Sequence, residues 1–294
     1  HADHTLHSDG PHSEPDEMMN ERVPIEVPRT MPRLARITIY PIKALDGLAV
    51  SAARVLPAGA LEHDRRLAIV DAEGKVINGK RTPRVHAIRA RYDLDRETVT
   101  LRREGDDRAA SFALDDRDGL AGWFSDHFDQ PVRVIENRSA GWPDDTDSPG
   151  PTVIGTATLE AVAGWFPGLT LAEARRRFRA NLEIADAEPF WEDRLYDAPG
   201  VTVPFRVGEV TLEGVNPCQR CVVPTRSPET GEVVAGFQKA FAENRRAALP
   251  AWAHAKRFNH FYRLAVNTRP GSPGAGIVRV GDRVEVVGQT STNA

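Results

Sequence analysis

Residues 216–225 read Asn-Pro-Cys-Gln-Arg-Cys-Val-Val-Pro-Thr and contain the only two cysteines of this 294-residue chain, Cys218 and Cys221. A disulfide framework needs several cysteine pairs in a short secreted chain, so these two cysteines do not indicate one. Their spacing leaves four interpretations open: inert buried thiols, a redox pair, part of a metal site, or one thiolate ligand to a soft metal. Arg220, between the two cysteines, favours a thiolate nearby.

A zinc site is only half present in this stretch. Two cysteines three positions apart supply two of the four ligands that structural zinc requires. The nearest histidines, His254 and His260, lie far outside the spacing of a ligand pair. His86 and His127 belong to no motif either, so all four histidines are predicted to be structural or exposed.

Upstream, short strands joined by tight turns are predicted from residue 34 onward. Strands at intervals of about ten residues, with a hairpin turn at residues 72–75, predict a small antiparallel barrel or sandwich. A short helix is expected over residues 119–128, with Trp123 and Phe124 on its core side. The segments with the strand pattern are 34–40, 67–71, 85–92 and 98–102.

The second half of the chain follows a stretch rich in glycine, proline and aspartate at residues 137–151, which predicts a loop between domains. Residues 158–166 have helical periodicity, and Thr170-x-x-Glu173 has the form of a capping box at the start of the next helix. Residues 237–248 predict a charged amphipathic helix. Strands are expected at 182–184, 205–207, 209–215, 221–223, 263–267 and 279–287.

These patterns predict a β-rich α+β fold of two domains, at residues 31–136 and 152–288. Residues 1–30, rich in histidine and acidic side chains, predict a disordered tail, and residues 289–294 a short second one. The net charge of -4 gives no basic field for nucleic acid or an acidic membrane. Neither a membrane-spanning apolar run nor the hydrophobic core of a signal peptide occurs in the sequence, so a cytoplasmic protein is expected.

Five further segments accompany the cysteine pair in a fixed order. They are Ile39-Tyr-Pro-Ile-Lys43, His63-Asp-Arg-Arg66, Arg177-Phe-Arg-Ala-Asn-Leu-Glu-Ile184, Pro189-Phe-Trp-Glu-Asp193 and Gly276-Ile-Val-Arg-Val-Gly-Asp-Arg-Val-Glu-Val-Val287. With this arrangement the chain resembles the MOSC family (molybdenum cofactor sulfurase C-terminal domain) and, within it, the molybdenum-dependent amidoxime-reducing proteins and their bacterial relatives. The resemblance implies an antiparallel β-barrel-like domain, followed by a MOSC β-barrel domain with peripheral helices.

The resemblance also implies a molybdenum–molybdopterin cofactor, with Cys221 as the single protein ligand of the metal. A thiolate suits molybdenum that is held on its other side by dithiolene sulfur. Arginine offers phosphate a planar fork and lysine a point charge. Catalytic roles are implied for Cys221 and Arg65, with Asp64 orienting Arg65. The matched positions that would bind the cofactor are Lys43, Arg65, Lys80 (where the family usually has arginine), Arg179, Asn181, Arg220 and Cys221.

The activity implied by the resemblance is reduction of N-hydroxylated compounds: amidoximes, hydroxylamines and N-hydroxylated bases. The sequence has no four-cysteine cluster and no Gly-x-Gly-x-x-Gly turn, so neither a built-in iron–sulfur cluster nor a flavin is expected. Electrons would come from a separate flavoprotein, ferredoxin-like or cytochrome-like donor. Two other functions stay open: a sulfur carrier or cofactor-handling protein with a persulfide on Cys221, and a binding module that has lost the metal.

Overall fold

The computed structural model of the protein describes residues 31–272 and 274–287. These residues form four α-helices and fifteen strands, which confirms the predicted β-rich α+β class. The predicted tails, 1–30 and 289–294, lie outside the described residues. The strands are β1 (Arg33–Ile39), β2 (Leu48–Val50), β3 (Ala52–Val55), β4 (Leu67–Val70), β5 (Ile88–Asp93), β6 (Thr98–Arg103), β7 (Ala109–Ala113), β8 (Arg133–Glu136), β9 (Val153–Gly155), β10 (Leu182–Ala185), β11 (Val203–Val207), β12 (Val210–Gln219), β13 (Arg263–Pro270), β14 (Gly276–Arg279) and β15 (Val284–Val286). The helices are α1 (Arg117–Phe128), α2 (Thr156–Gly164), α3 (Leu171–Phe178) and α4 (Phe237–Ala247).

An eight-stranded sheet is the largest layer of the fold, in the order β15-β11-β12-β13-β9-β10-β1-β2. β9 and β10 pair in parallel, and the other neighbours are antiparallel. Leu34, Ile37 and Ile39 of β1 are buried in the core cluster beneath this sheet. A bulge in β1 between Leu34 and Arg36 shifts the register with β10. Short apolar segments with one buried face form this layer, as their polarity pattern predicts.

The first strands of the chain pair with late ones. β1 pairs with β10 in the main sheet, and β3 pairs with β14 in a separate two-stranded sheet. A third connection joins Leu34 to the turn before β15, where the Leu34 N–H donates to the Asp282 carbonyl at 2.8 Å and the Leu34 carbonyl accepts the Gly281 N–H at 2.7 Å. Backbone hydrogen bonds therefore join the predicted first domain to the predicted second one at several places. The division of the chain at residues 137–151 stays a prediction.

A second core lies under the small sheets β4-β8 and β5-β6-β7, where α1 packs. The helix begins two residues earlier than predicted, because the Asp116 side chain accepts the Gly119 N–H at 2.9 Å and caps it. Phe124 is fully buried, as predicted. Trp123 is only half-buried, and its ring stacks on His127.

The helices α2, α3 and α4 enclose a third apolar cluster that contains Phe178 and Phe241. Thr170 caps α3 by accepting the Glu173 N–H at 3.1 Å, as the predicted capping box requires. The other half of the box is absent, because the Glu173 carboxylate binds Arg177 instead. Arg179 ends the helix with a φ of 51°, in the left-handed region, and the chain then enters β10.

Three predicted strands differ from the observed ones. Residues 221–223 are not a strand: β12 ends at Gln219, and a 3₁₀ helix follows at Val223–Thr225. Pro224 explains the change, because proline has no N–H for a sheet ladder and suits the first turn of a helix. The strand predicted at 85–92 begins as a 3₁₀ helix, Pro83–Ala87, and the one predicted at 279–287 is divided by Gly281, whose φ is 97°.

Two adjacent acidic residues, Glu192 and Asp193, are buried beside one arginine of helix α4. Arg245 of α4, whose side chain is 1% exposed, binds the Asp193 carboxylate. Glu192 accepts the Thr158 hydroxyl at 2.8 Å through one oxygen, and its other oxygen has no hydrogen-bond partner. Burial, together with the neighbouring Asp193 carboxylate, raises the pKa of Glu192 to about 7. The Arg245 guanidinium thus neutralises only the Asp193 carboxylate, and Glu192 is protonated at acidic pH.

The free energy of unfolding of the wild type should fall between pH 5 and pH 8 as Glu192 ionises, and we expect Glu192→Gln to abolish that fall. The folded pKa of Glu192 lies above the unfolded value, so its contribution to stability is complete below about pH 4.5 and is lost as the pH rises through about 7. Glutamine cannot ionise, so the difference in unfolding free energy, variant minus wild type, should grow by about 1–3 kcal/mol over this range in urea denaturation. The exposed Glu243→Gln is the control, and parallel pH curves for all three proteins would contradict the assignment.

Candidate functional site

A large cleft, with a volume of about 930 Å³, runs between the end of β1, helix α3 and the segment after β12. The structure brings all of the predicted site residues to its walls. They reach it from distant parts of the chain, because β1 and β10 are neighbours in the main sheet. These wall residues are Lys43, Arg65, Lys80, Arg179, Asn181, Arg220 and Cys221.

Positive charge dominates the lining of the cleft. Twelve arginine and lysine side chains line it, against five aspartate and glutamate side chains, although the whole chain has a net charge of -4. A concave wall with one sign of charge concentrates its field on the enclosed space. The cleft is therefore suited to an anionic ligand.

The two cysteines have different surroundings. Both are free thiols and half-buried. Sγ of Cys221 accepts the backbone N–H of Val223 at 3.4 Å, at the start of the 3₁₀ helix. Arg220 donates to Sγ of Cys218 at 3.3 Å, so the arginine between the cysteines contacts the first of them. Both cysteines line the cleft, and they differ in the donor aimed at the sulfur: a backbone N–H for Cys221 and a guanidinium for Cys218.

Several polar atoms in the cleft walls are buried and have no partner in the described part of the chain. The Arg220 guanidinium donates to the Phe178 carbonyl at 2.6 Å, but its Nε is unpaired. Three more buried atoms of the walls have no hydrogen-bond partner: the Nε atoms of Arg226 and Arg263 and the hydroxyl of Ser148. Buried donors are normally satisfied, so these four atoms indicate room for a polar ligand.

Tyr40 lies between two of the predicted arginines. The guanidinium of Arg179 is 4.1 Å from the centre of the ring, and that of Arg65 is 5.6 Å away. Asp64 accepts the Tyr40 N–H at 2.8 Å and also binds Arg65, which is the orienting contact expected of it. Burial raises the pKa of Tyr40 although both arginines oppose the shift, so the phenol stays neutral. Arg65 and Arg179 both have φ near 50°, a strained conformation that clusters at functional sites.

Asn181 is buried within the framework of the cleft, with its side-chain amide largely occupied. The amide nitrogen donates to the Thr38 carbonyl at 3.0 Å. The amide oxygen accepts the Thr152 N–H at 3.2 Å and the Arg65 guanidinium at 3.5 Å. Most of the hydrogen-bonding groups of the Asn181 side chain therefore join β1 to the residue before β9. One amide hydrogen is left for a ligand.

The two predicted lysines differ in exposure. Lys43 is almost buried and donates to the Trp142 carbonyl at 2.8 Å and to the Asp144 carboxylate at 2.8 Å. Lys80 is exposed at the rim, and its backbone N–H is held by the Asn78 side chain at 3.1 Å. Lys43 therefore anchors a loop, whereas the Lys80 ammonium is accessible to solvent and ligand.

Sequence reasoning did not identify several wall residues. Ser148 and Asp144 belong to the segment 137–151, which has no periodicity and was interpreted only as a boundary. Arg226 follows the 3₁₀ helix, and Arg263 opens β13, where each looks like an ordinary surface arginine. Their only common signal is spatial, because they converge on the same cleft from separate elements.

No cluster of three or more metal-binding side chains (His, Cys, Asp or Glu) exists in the described ranges. None of the helices in those ranges is long and apolar enough to cross a membrane.

Comparisons with known proteins identify two matching families. A model of the MOSC N-terminal beta barrel domain matches residues 31–122, and one of the MOSC domain matches residues 153–285. Among solved structures, the YuaD protein from Bacillus subtilis is similar, with 10% sequence identity over 87% of this chain and 95% of that chain, and a TM-score of 0.36. A comparison with curated proteins gave no match.

We expect Asn181→Ala to lower the free energy of unfolding by about 2 kcal/mol, because it leaves two partly buried backbone groups, the Thr38 carbonyl and the Thr152 N–H, without this partner. The control is Asn267→Ala, since Asn267 is less buried and its amide donates only to Asn216, at 3.0 Å. Guanidinium denaturation of both variants checks this. Equal, small effects would show that the Asn181 amide is not part of the framework.

Proposed function

The chain belongs to the MOSC family, and from that premise we propose that its cleft binds a molybdenum cofactor, with Cys221 as the protein ligand of the metal. MOSC domains are associated with proteins that bind or handle this cofactor. We further infer that the protein reduces N-hydroxylated compounds, such as amidoximes and hydroxylamines, with electrons from a separate donor protein.

The observation that supports the proposal most strongly is the half-buried Cys221 thiol in a cation-rich wall. Cys218 lines the same wall, but its sulfur already accepts from Arg220, and the described residues offer no cluster of three or more protein ligands for a metal. Molybdenum in a dithiolene cofactor needs only such a thiolate from the protein. The unpaired Nε atoms of Arg220, Arg226 and Arg263 suit the anionic part of the same cofactor. The residues present therefore fit the group.

Each predicted residue would have a role that follows from its present contacts. Arg220 and Arg179 are each anchored by one carbonyl, that of Phe178 and of Leu45, which keeps their guanidinium groups in place before a ligand arrives. Arg65 is oriented by Asp64 and would face the reacting end of the substrate. Preorganised cations of this kind cost no rearrangement on binding.

The Val223 N–H donates to the Cys221 sulfur and holds it in one orientation. When bound, the cofactor would supply the two-electron chemistry that cleaves an N–O bond and releases water. The protein would position the substrate and exclude bulk solvent. The neutral Tyr40 phenol, buried between two arginines, would help to keep this part of the cleft dry.

A second function, sulfur transfer through a persulfide on Cys221, uses the same observation. The Val223 N–H aimed at Sγ would hold the inner sulfur of a persulfide in place as well as it holds a metal-binding thiol. The two functions differ in what the purified protein carries, which is molybdenum in one case and sulfane sulfur in the other.

We expect Cys221→Ser to lose most of its molybdenum when the protein is produced in a host that makes the cofactor, because a hydroxyl is a harder and poorer ligand. Cys218→Ser is the matched control and should retain metal near the wild-type content in elemental analysis. Equal loss from both variants would indicate a redox pair or a shared metal site. Sulfane sulfur on Cys221, without molybdenum, would favour the sulfur carrier.

The electron donor can be tested with purified protein and an amidoxime. We expect no turnover with NADH or NADPH alone, and turnover with reduced viologen, which bypasses a partner protein. An added flavoprotein from the same organism, alone or together with a small iron–sulfur protein that carries its electrons onward, should restore nicotinamide dependence through a weak contact. Turnover with NADPH and no partner would contradict the separate donor, and no turnover with viologen in molybdenum-loaded protein would contradict the reductase.

A further inference from the structure

Lys43 has no free donor for a ligand in this structure. Its ammonium donates to the Trp142 carbonyl at 2.8 Å, to the Pro143 carbonyl at 3.2 Å and to the Asp144 carboxylate at 2.8 Å. An ammonium group has three hydrogens, and these three contacts use all of them. The side chain of Lys43 is only 11% exposed, so water cannot easily replace a lost contact.

Of these three acceptors, only Asp144 carries charge and can leave easily. Its side chain is 70% exposed, so it can rotate into water without opening the core. The Trp142 backbone is fixed independently, since its N–H donates to the Arg65 carbonyl at 2.9 Å. Lys43 and Arg65 act against partial burial and hold the pKa of the Asp144 carboxyl below its usual range, and Lys80 adds to the effect. Asp144 therefore presents a carboxylate to three of the cations predicted to bind the cofactor.

We propose that Asp144 is an internal anion that occupies the place of the ligand's anionic group and must be displaced when that ligand binds. This inference rests on one part of the proposed function, namely that the cleft binds an anionic ligand. It assigns to Asp144 a role in setting affinity: the carboxylate keeps Lys43 oriented toward the cleft in the free protein, and it competes with the incoming anion for the same ammonium.

The exchange follows from the geometry. An entering phosphate takes over the Lys43 hydrogen that Asp144 holds, and the two carbonyl contacts remain. The Asp144 side chain turns outward to solvent, and the backbone of the loop keeps its hydrogen bond to Arg65. The affinity for an anion is thus reduced by the strength of one partly exposed ion pair.

The test compares three variants by isothermal titration with inorganic phosphate at fixed ionic strength. Asp144→Asn keeps an oxygen that can accept from Lys43 but removes the charge. Asp145→Asn is the matched control: Asp145 also lines the cleft and its substitution changes the net charge equally, but its carboxylate accepts the Asp147 N–H at 3.0 Å. Asp144→Asn combined with Lys43→Met removes the ammonium for which the anions compete. Circular dichroism melts establish that each variant is folded.

We expect Asp144→Asn to bind phosphate about five-fold more tightly than wild type and Asp145→Asn to change affinity by less than about two-fold. The double variant should lose the gain. Equal gains in Asp144→Asn and Asp145→Asn, or a gain that survives Lys43→Met, would overturn the inference while leaving the anion site intact. Weaker binding by Asp144→Asn would show that the carboxylate only positions Lys43. Absence of phosphate binding in every variant would contradict both this inference and the proposed function.

Discussion

Repulsion among like charges is the constraint on which the cleft depends. Twelve cationic side chains surround one space of about 930 Å³, and they would spread apart unless the fold held each of them. It does so with fixed acceptors. Arg179 is held by the Leu45 carbonyl, Arg220 by that of Phe178 and Arg177 by that of Pro224. Arg177 is engaged on all sides, since it also binds Glu173 and the Arg226 carbonyl. Because Arg179 and Arg220 are fixed at one end, their remaining donors are directed without further loss of side-chain entropy.

Much of this arrangement could be predicted from the sequence. The short alternating segments predict the strands of the main sheet, and Thr170 predicts the start of α3. The matched motifs select residues that meet in one cleft, although Cys221 and Lys43 are far apart in the chain. A motif selects residues that act at one site, and the chemistry of each side chain limits what that residue can bind. The roles of the site residues remain proposals.

Other features could not be predicted, because they depend on partners that only the fold brings together. The sequence places Arg220 between two cysteines, but the geometry directs it to Cys218. Lys43 belongs to a binding motif, yet a loop about one hundred residues later occupies all three of its hydrogens. Ser148 has no periodic pattern around it, and its role in the cleft wall appears only when the loop is folded. Pro224 does carry a local signal, since it excludes the strand predicted at 221–223.

The pairing of early strands with late ones has a consequence for biosynthesis. β1 has no partner in the main sheet other than β2 until β10 has emerged from the ribosome, and β3 must wait for β14. Contacts of such long sequence separation form slowly and pass through states with unpaired strand edges. The walls of the cleft, which extend in sequence from Arg36 to Asn267, are complete only when nearly the whole barrel has been synthesised. Any prosthetic group of this cleft can therefore be inserted only after the late strands of the main sheet have emerged and paired.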